Sequence, residues 1–387
     1  MSDTMTTAFP LTRVAIVGIH GHGENHVKSA RALARRGDVV LVAVADPRPP
    51  SAGTLDPAVA RFDSLAELLK AVQVDVVVLC TPIHTHFELT KLALEAGVDV
   101  LLEKPPVTST EDFVAIGEVL AQTGRRCQVG FQSLGSHALT AVQECIARGD
   151  IGTVTGVSAS GSWLRRREYW SRAAWAGKRM LNGIEVVDGV VTNPLAHAVA
   201  TALKLAGATR AKDVASVELD QYRANDIDCD DTSVVRVQTV AGIPVTLALT
   251  LCAPERSEPT VTIHGSTGRI VVFYAIDVVQ VFRDGAAEPV TTPHERTSLL
   301  QDLIRVRRGE SAELVADFAD TEAFTLVLDA VRTAPDPRPI AAEYVEWVDE
   351  GDQAHPVVRD IDQWIARAGR EHQTFAELGA PWAVRAA

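Results

Sequence analysis

The sequence has no excess of positive charge and no long apolar run. Its 37 Lys and Arg residues are outnumbered by 50 Asp and Glu residues, for a formal net charge of −13. Nucleic acids and anionic membranes favour clustered basic side chains, so this charge argues against both partners and favours a small molecule. The first apolar run, Val14 to Val17, is too short for a signal-peptide core or a membrane span. We therefore expect a cytoplasmic protein.

Cysteine is also scarce, and the five cysteines are far apart and odd in number: Cys80, Cys127, Cys145, Cys229 and Cys252. This usage is typical of reduced core residues rather than of disulfides, nucleophiles or metal ligands. The sequence has no internal repeat and no low-complexity tract. A chain of 387 residues, 47% of them hydrophobic, predicts two globular domains.

The first third of the chain alternates strand and helix patterns. An apolar run at 13–17 stops at Gly18, a helical pattern follows over 23–36, and a second apolar run at 39–45 stops at Asp46. Further helices are predicted near 64–72, 85–96 and 110–123, and further strands near 74–80, 98–103 and 127–130. This order predicts an α/β Rossmann domain with a doubly wound parallel sheet over residues 1–133.

The remainder, residues 134–387, has a different texture. A predicted helix near 136–149 is followed by short strand patterns near 153–161, 216–223, 232–239, 244–251, 260–264 and 269–274. We predict an α+β domain with a mainly antiparallel open sheet. Helices near 190–205 and 317–331 would cover one face. The other face would be free to pair with a second subunit in a homodimer or homotetramer.

The sequence G-I-H-G-H-G resembles the G-x-G-x-x-G turn that brings backbone amides to a dinucleotide pyrophosphate, with the middle glycine displaced by one place. The loop residues of this predicted cofactor site are Gly18, His20, Gly21, His22 and Gly23. Asp46, at the end of the next strand, is expected to accept hydrogen bonds from the adenosine ribose and to repel a 2′-phosphate. We predict NAD as cofactor, while Arg48 keeps NADP possible.

Five histidines lie in or near this region: His20, His22, His26, His84 and His86. A zinc site needs convergent ligands, and histidines in a phosphate-binding turn are more plausible as packing residues or cofactor contacts. We therefore predict no metal.

Further segments carry a family resemblance. C-T-P-I-H-T-H begins at Cys80, E-K-P at Glu103, D-G-V-V-T-N-P-L-A-H at Asp188, and G-F-Q at Gly130. Together with the glycine loop they resemble, in order and spacing, the Gfo/Idh/MocA family, named after glucose-fructose oxidoreductase, inositol dehydrogenase and a rhizopine-catabolism protein. The resemblance implies further cofactor contacts from Thr81, Pro82, His86, Glu103, Lys104 and Gln132.

The resemblance also implies that Lys104 lies between nicotinamide and substrate. His197 matches the family's histidine, which follows a carboxylate by four residues on one helical face. Here Asn193 stands where many members carry that Asp, and Ala200 stands where many carry a second Asp, so the usual network of charges is altered. The implied substrate contacts are Lys104, Asn193 and His197.

Oxidation of a secondary alcohol needs a base of near-neutral pKa and a positive charge beside the developing alkoxide. His197 and Lys104 supply these properties, and Asn193 can orient Lys104 or a substrate hydroxyl. We predict an NAD(P)-dependent dehydrogenase or reductase acting on a sugar, polyol or sugar acid. Two alternatives stay open: a glycoside-cleaving enzyme that oxidises its sugar transiently with catalytic NAD, and a nicotinamide-binding sensor without catalysis.

The stretch Trp163 to Arg179 holds six basic residues and one acid among several aromatics. We expect it to line the substrate pocket through Arg167, Tyr169 and Trp175 and to favour an anionic sugar derivative. The alternative is a subunit or domain interface built of salt bridges.

Overall fold

A computed structural model describes residues 10–51 and 53–383. The chain divides into two compact units. The first takes in the chain up to Pro106, Val114–Gly130 and Ser298–Phe318, and the second takes in Val107–Phe113, Phe131–Thr297 and the chain from Ala319. A single boundary after residue 133 does not describe this division, because Ser298–Phe318 returns to the first unit. In the described ranges, no helix is long and apolar enough to cross a membrane.

The early part of the chain alternates strands and helices as predicted. The elements are β1 (Thr12–Val17), α1 (Gly23–Arg35), β2 (Val39–Ala45), β3 (Ala60–Phe62), α2 (Leu65–Ala71), β4 (Val76–Leu79), α3 (His86–Glu95), β5 (Asp99–Leu102), α4 (Thr110–Thr123) and β6 (Cys127–Val129). The strands form one parallel sheet in the order β3-β2-β1-β4-β5-β6. This is a Rossmann strand order, so the predicted doubly wound fold is confirmed.

The elements that follow are α5 (His137–Ala147), β7 (Val154–Ser162), α6 (Arg167–Ser171), β8 (Met180–Leu181), β9 (Ile184–Glu185), α7 (Ala196–Leu205), β10 (Val214–Arg223), β11 (Thr232–Thr239), β12 (Pro244–Thr250), β13 (Thr260–Gly265), β14 (Gly268–Phe273), β15 (Val278–Arg283), β16 (Val290–Pro293), α8 (Leu299–Arg307), α9 (Glu322–Thr333), β17 (Arg338–Pro339), β18 (Val345–Val348), β19 (His355–Val358) and α10 (Ile361–Glu371). Of these, α8 belongs to the first unit.

The second unit is built on a nine-stranded sheet in the order β16-β15-β14-β13-β7-β12-β11-β10-β17. Its neighbouring strands are antiparallel except for the pairs β7·β12 and β10·β17. The predicted α+β architecture with a mainly antiparallel sheet is confirmed. The helix predicted from residue 190 begins only at Ala196, because the preceding residues form turns closed by the Thr192 hydroxyl and followed by Pro194.

Both faces of β7 are covered within the second unit. Side chains alternate along a strand, and a Cβ on Gly161 would lie 2.6 Å from Leu195, next to α7. On the other face, Gly369 of α10 lies close to Ser158 and Ser160. The expectation of a free second face is therefore wrong at β7 and β12, where α10 packs. The expectation failed because the sequence analysis assigned no helix to the α10 segment, which has one apolar side.

Helix α10 and the residues that follow it bury a continuous apolar cluster. Ile361 and Ile365 of α10, with Phe375 and Trp382 beyond it, are at most 3% exposed and pack in one core with Tyr222. A fully buried side chain of this size contributes about 1.5–3 kcal/mol relative to an exposed one. The C-terminal segment is thus an integral part of the second unit.

In the first unit, α8 is held to the parallel sheet by Arg307. Its Nη1 lies 2.6 Å from Asp99 Oδ2 and its Nη2 lies 3.0 Å from Asp75 Oδ1. The Asp99 side chain is fully buried, whereas Arg307 is 26% exposed. Gln128 reinforces the attachment, because its Nε2 donates to the Leu299 carbonyl and to Asp302. The N-terminal edge of the sheet therefore depends on a helix from a distant part of the chain.

Replacing Arg307 by Met should lower the free energy of unfolding by about 3 kcal/mol, because Asp99 would lose its main cationic partner while remaining buried. Urea denaturation measures this change. The matched control is Arg305→Met on the same helix, whose 47% exposed side chain approaches only Glu310, at 3.9 Å. Its effect should stay within about 0.5 kcal/mol. Equal effects of the two substitutions would contradict the assignment.

Candidate active site

The cofactor-site residues predicted for the first unit follow strands that end together. Val17 of β1 pairs with Ala45 of β2, and it also pairs with Leu79 of β4. Leu79 pairs in turn with Leu102 of β5. Open α/β sheets bind ligands at the carboxyl ends of their strands. The residues that follow these ends are Gly18, Asp46, Cys80–Pro82 and Glu103–Lys104.

The glycine loop has no room for side chains at two positions. A Cβ on Gly18, whose φ is +80°, would lie 2.1 Å from the carbonyl oxygen of Cys80, and a Cβ on Gly23 would lie 2.1 Å from that of Gly18. The loop runs directly into α1, with His22 at the N-cap. A bare backbone turn at the positive end of a helix dipole fits a dinucleotide pyrophosphate.

Asp46 is fixed beside this loop. Its Oδ2 accepts the Ile19 amide at 3.0 Å, and its Oδ1 accepts the Arg48 amide at 2.9 Å. The Arg48 side chain is 70% exposed, with Nε 3.5 Å from Asp46. The carboxylate keeps lone pairs for ribose hydroxyls, so its position fits the adenosine half of the cofactor.

The T-P-I-H-T-H turn is organised by a buried histidine. His86 is 1% exposed, and its ring nitrogens lie 2.8 Å from the Pro105 carbonyl and 2.9 Å from the Thr81 carbonyl. Burial lowers the pKa of His86, against the opposing effect of those carbonyls. Each ring nitrogen of His86 faces a backbone carbonyl, and the neutral ring donates its one N–H to one of the two. His86 therefore joins the Thr81 turn to the E-K-P turn, and Pro82 lies exposed between them.

Glu103 forms a cluster with two histidines, of which His26 is buried and His22 is exposed. His26 Nε2 lies 2.8 Å and His22 Nε2 lies 3.4 Å from Glu103 Oε1, while Glu103 Oε2 accepts the Lys104 amide at 3.1 Å. Burial alone would raise the pKa of Glu103, but hydrogen bonds from His22 and His26 outweigh it and hold that pKa well below its usual range. The carboxylate in turn raises the pKa of His22. The three ligand atoms lie within 4.8 Å of one another, a spacing that can also hold a metal ion.

In the second unit, His197 lies on α7 beside two hydrogen-bonded hydroxyl groups. Its Nδ1 lies 3.4 Å from Ser133 Oγ, which accepts a hydrogen bond from the Thr201 hydroxyl at 2.9 Å. The edge of its ring meets Phe131, with ring centroids 5.8 Å apart. Ser133 belongs to the 3₁₀ turn that begins at Gln132. The imidazole is thus oriented by groups on both sides.

Asn193 lies in the turn before α7, so the helical-face argument for Asn193 and His197 does not hold. Its side-chain amide donates to Asp188 Oδ1. Asp188 is 3% exposed, and its Oδ2 also accepts from Arg172 Nη2 at 3.0 Å and from the Gly177 amide at 2.8 Å. A carboxylate is therefore present beside Asn193. Because the amide nitrogen is held by Asp188, the Asn193 side chain presents its oxygen as the acceptor.

The side chains of the stretch Trp163 to Arg179 do not all line one surface. Arg179 donates to the carbonyls of Val331, Arg332 and Ala334 at 2.7–3.0 Å, where α9 ends. Arg167 is exposed and lies over the Trp347 ring, 4.8 Å from its centroid. Arg179 is therefore a helix-capping residue, and Arg167 faces β18.

Five other residues of this stretch, together with Arg256, form an alternating row of guanidinium groups and rings, which we call the arginine–aromatic stack. In order, it contains Arg256, Trp163, Arg165, Tyr169, Arg172 and Trp175. Each guanidinium lies 3.7–4.9 Å from the centroid of the next ring. Tyr169 and Trp175, both expected to contact substrate, are therefore members of one row.

Sequence reasoning missed the roles of two residues at these sites and one contact. Asp188 was quoted as part of a motif but given no role, although its carboxylate stands beside the altered position 193. Ser133 follows G-F-Q directly and carries no signal of its own. The contact of His22 with Glu103 joins residues 81 positions apart, which no local pattern reveals.

Comparison with known families agrees with this geometry. The model described as an oxidoreductase family with an NAD-binding Rossmann fold, GFO/IDH/MocA, matches residues 12–131. The GFO/IDH/MocA C-terminal domain model matches residues 139–271. Together they take in well over half of the chain, which belongs to the Gfo/Idh/MocA family of oxidoreductases. The family resemblance, the NAD-binding Rossmann domain and the oxidoreductase class are confirmed.

Individual relatives share part of the chain. D-glucoside 3-dehydrogenase of Escherichia coli is 30% identical over 191 residues, 49% of this chain and 53% of that protein. Inositol 2-dehydrogenase of Rhizobium meliloti is 27% identical over 256 residues, 65% of this chain and 74% of that protein. The chain therefore spans about half the length of the first of these relatives.

Among solved structures, the WlbA dehydrogenase from Bordetella pertussis, in complex with NADH and UDP-GlcNAcA, is 26% identical with a TM-score of 0.68. The match covers 83% of this chain and 95% of that chain.

The raised pKa of His22 makes a prediction about stability. Charged His22 stabilises the fold through Glu103, so this contribution is complete below the unfolded pKa of about 6.5 and is lost as the pH rises through the raised folded pKa. His22→Gln should therefore destabilise the protein more at about pH 5.5 than at about pH 8.5. Urea denaturation at both values measures the difference.

The control is His137→Gln, which removes an exposed histidine whose Nε2 lies 2.8 Å from the Thr297 hydroxyl. It should show no such pH dependence, because Thr297 carries no charge. A His22→Gln effect independent of pH would contradict the proposed charge on His22.

Proposed function

We propose that this protein is an NAD-dependent dehydrogenase or reductase that transfers hydride to or from a secondary alcohol or ketone of a sugar, polyol or sugar acid. The observation that carries the proposal is the carboxyl edge of the parallel sheet, where Lys104 follows β5 on the same edge as the glycine loop and Asp46. When bound, the nicotinamide supplies the hydride acceptor or donor.

The choice of NAD rests on Asp46. The carboxylate is nearly buried and held by two backbone amides, so it cannot easily turn away to admit a 2′-phosphate. Arg48 beside it would favour NADP, but the Arg48 side chain is mostly exposed. In this proposal His20 and His22 contact the cofactor from the glycine loop, with further contacts from Thr81, Pro82, Glu103 and Gln132.

His197 is proposed as the general base. Histidine titrates near neutrality, so it can take the hydroxyl proton during oxidation and return it during reduction. A base acting through Nε2 must carry its proton on Nδ1, and Ser133 Oγ is the acceptor beside that atom. Lys104 is proposed to stabilise the developing alkoxide by its positive charge.

Asn193 is proposed as a positioning residue for Lys104 or a substrate hydroxyl. Its side-chain nitrogen donates to Asp188 Oδ1, and its amide oxygen is the atom proposed to accept from Lys104 or the hydroxyl. Asp188, five residues before Asn193 and hydrogen-bonded to it, places a carboxylate beside position 193, where many family members carry one. The altered motif is consistent with catalysis and weakens the case for a sensor that has lost activity.

The names of relatives support the substrate class. D-glucoside 3-dehydrogenase and inositol 2-dehydrogenase act, by name, on a sugar derivative and a polyol, and the WlbA structure holds NADH with a sugar nucleotide. A screen of sugars, polyols and sugar acids with NAD and NADP, followed by the absorbance of reduced nicotinamide, tests the proposal. One NADH formed per substrate consumed is the expected result. Release of an aglycone with only catalytic NAD would instead identify a glycoside-cleaving enzyme.

We also propose a cytoplasmic homodimer or homotetramer. Because α10 covers β7 and β12, contact through the nine-stranded sheet would use β13–β16, where Val290 is 54% exposed. Any contact between subunits would therefore lie towards one edge of the sheet.

Asp46→Ala should relax the preference for NAD, because repulsion of the 2′-phosphate is removed while Arg48 remains. Dissociation constants of both cofactors for the wild type and the variant measure this. The control is Asp56→Ala, in the loop after β2, which should leave the NAD to NADP ratio unchanged. A wild-type protein that already binds NADP more tightly would refute the assignment.

Lys104→Ala and His197→Ala should each lower kcat at least about a hundredfold while NAD affinity changes only a few-fold, because both residues are proposed to act on substrate hydroxyls. Steady-state kinetics with the substrate found in the screen and NAD titrations separate the two effects. Lys70→Ala and His137→Ala, at exposed positions, are the matched controls. Near wild-type kcat in either test variant would leave that residue with a purely structural role.

A further inference from the structure

Arg165 is partly buried and has no counterion, unlike Arg172 and Arg179. Arg172 pairs with Asp188 at 3.0 Å, and Arg179 with Asp336 at 3.1 Å. Within the described residues, Arg165 has no carboxylate within 4.0 Å, and its Nε is buried without a hydrogen-bond partner. A partly buried guanidinium with no counterion and an unpaired Nε is costly to keep, which points to a ligand that completes it.

The surroundings of Arg165 favour one class of ligand. Its guanidinium lies 4.9 Å from the ring centroid of Trp163 and 4.5 Å from that of Tyr169. These rings stabilise the cation. One N–H of the guanidinium donates to the Leu164 carbonyl at 3.3 Å, and a side-chain hydrogen bond joins Arg165 to Tyr169. Neither acceptor carries a charge that offsets the guanidinium. Guanidinium edges match the two oxygens of a carboxylate or the oxygens of a phosphate.

The position of Arg165 relates it to the proposed catalytic helix. Trp163 of the stack comes two residues after Gly161, where a Cβ would lie 2.6 Å from Leu195, the N-cap of α7. Arg172 of the stack contacts Asp188, which holds Asn193. The stack is therefore connected, through Arg172 and the strand before Trp163, to the turn and helix that carry Asn193 and His197.

We propose that Arg165 is the anion-recognition residue of the substrate site and that the substrate is a sugar bearing a carboxylate or a phosphate. The assignment rests on the sugar dehydrogenase function proposed above. In this proposal, Trp163 and Tyr169 hold the Arg165 guanidinium and offer apolar surface to the sugar ring, while the guanidinium binds the anion. Arg172 is neutralised by Asp188 and serves to hold the stack.

Calorimetric titration measures binding without requiring turnover. The probes are D-glucuronate, D-glucose 6-phosphate and uncharged D-glucose, each added to the wild type, with and without NADH. At least one anionic probe should bind about tenfold or more tightly than glucose, and Arg165→Gln should remove that advantage. Whichever anionic probe responds identifies carboxylate or phosphate as the group recognised.

Arg256→Gln is the matched control, since Arg256 also lies over Trp163, at 4.3 Å, but is exposed. Arg256→Gln also removes one positive charge that lies over the Trp163 ring, and it should leave anion binding unchanged. Arg165→Lys keeps the positive charge but loses the bidentate hydrogen-bonding geometry of the guanidinium, and it should bind the anion with intermediate affinity. Thermal unfolding of each variant establishes that the fold is kept.

The outcomes separate the two proposals. Arg165-dependent binding of an anionic probe supports the inference even if no substrate yields NADH, in which case only the dehydrogenase function fails. Equal binding of anionic and uncharged probes, no binding of either anion to the wild type, or an equal loss in Arg165→Gln and Arg256→Gln overturns the inference. A neutral sugar oxidised with NAD by Arg165→Gln as efficiently as by the wild type, without anion preference, would leave the dehydrogenase function intact.

Discussion

The buried carboxylate of Glu103 holds together the parts of the dinucleotide-binding unit. It receives His22 and His26 from the glycine loop and α1, and it accepts the amide of Lys104 at the end of its own strand. It also fills the space that a Cβ on Gly130 would need, with the carboxyl carbon only 2.9 Å away. A buried carboxylate is tolerable only when its lone pairs are satisfied, so these four segments must come together in one arrangement.

This arrangement explains how a small, polar edge of the sheet is made rigid. The loop and α1 cannot shift without breaking the contacts to Glu103, and the Lys104 backbone is tied to the same carboxylate. His86 adds a second connection from the Thr81 turn to Pro105. The groups proposed to contact cofactor are thus held by buried polar contacts, which impose direction as well as proximity.

Much of the fold could be predicted from local pattern, because the parallel strands are continuous apolar runs and the connecting helices are regular. The α4 helix, Thr110–Thr123, has the predicted bounds. The late helices α8 and α10 were left unassigned, since charged residues interrupt their apolar positions and only the finished structure shows what those positions cover. The α7 helix begins late because the Thr192 hydroxyl, Pro194 and Asp188 stabilise turns instead.

The candidate site was predictable where a residue's role follows from its type and its place in a local motif, as for the loop glycines and the lysine of E-K-P. It was not predictable where the role depends on a distant partner. The charge beside Asn193 comes from Asp188, and whether an arginine is structural or open to a ligand depends on its partner. Arg179 donates to carbonyls at the end of α9 and Arg172 pairs with Asp188, while among the described residues Arg165 contacts two rings and one carbonyl and no carboxylate. Sequence presents all three as equivalent basic residues.

The late position of α8 and α10 has a consequence for synthesis on the ribosome. The parallel sheet is complete in sequence by Val129, yet Asp99 meets Arg307 only after about 180 further residues have been made. The face of β7 and β12 that α10 covers likewise waits for that helix. Domains usually fold in order as they emerge, but here neither can finish before the chain is nearly complete. A nascent chain that stalls beyond β12 would expose a wide sheet face, which makes it a substrate for chaperones rather than a folded half of the enzyme.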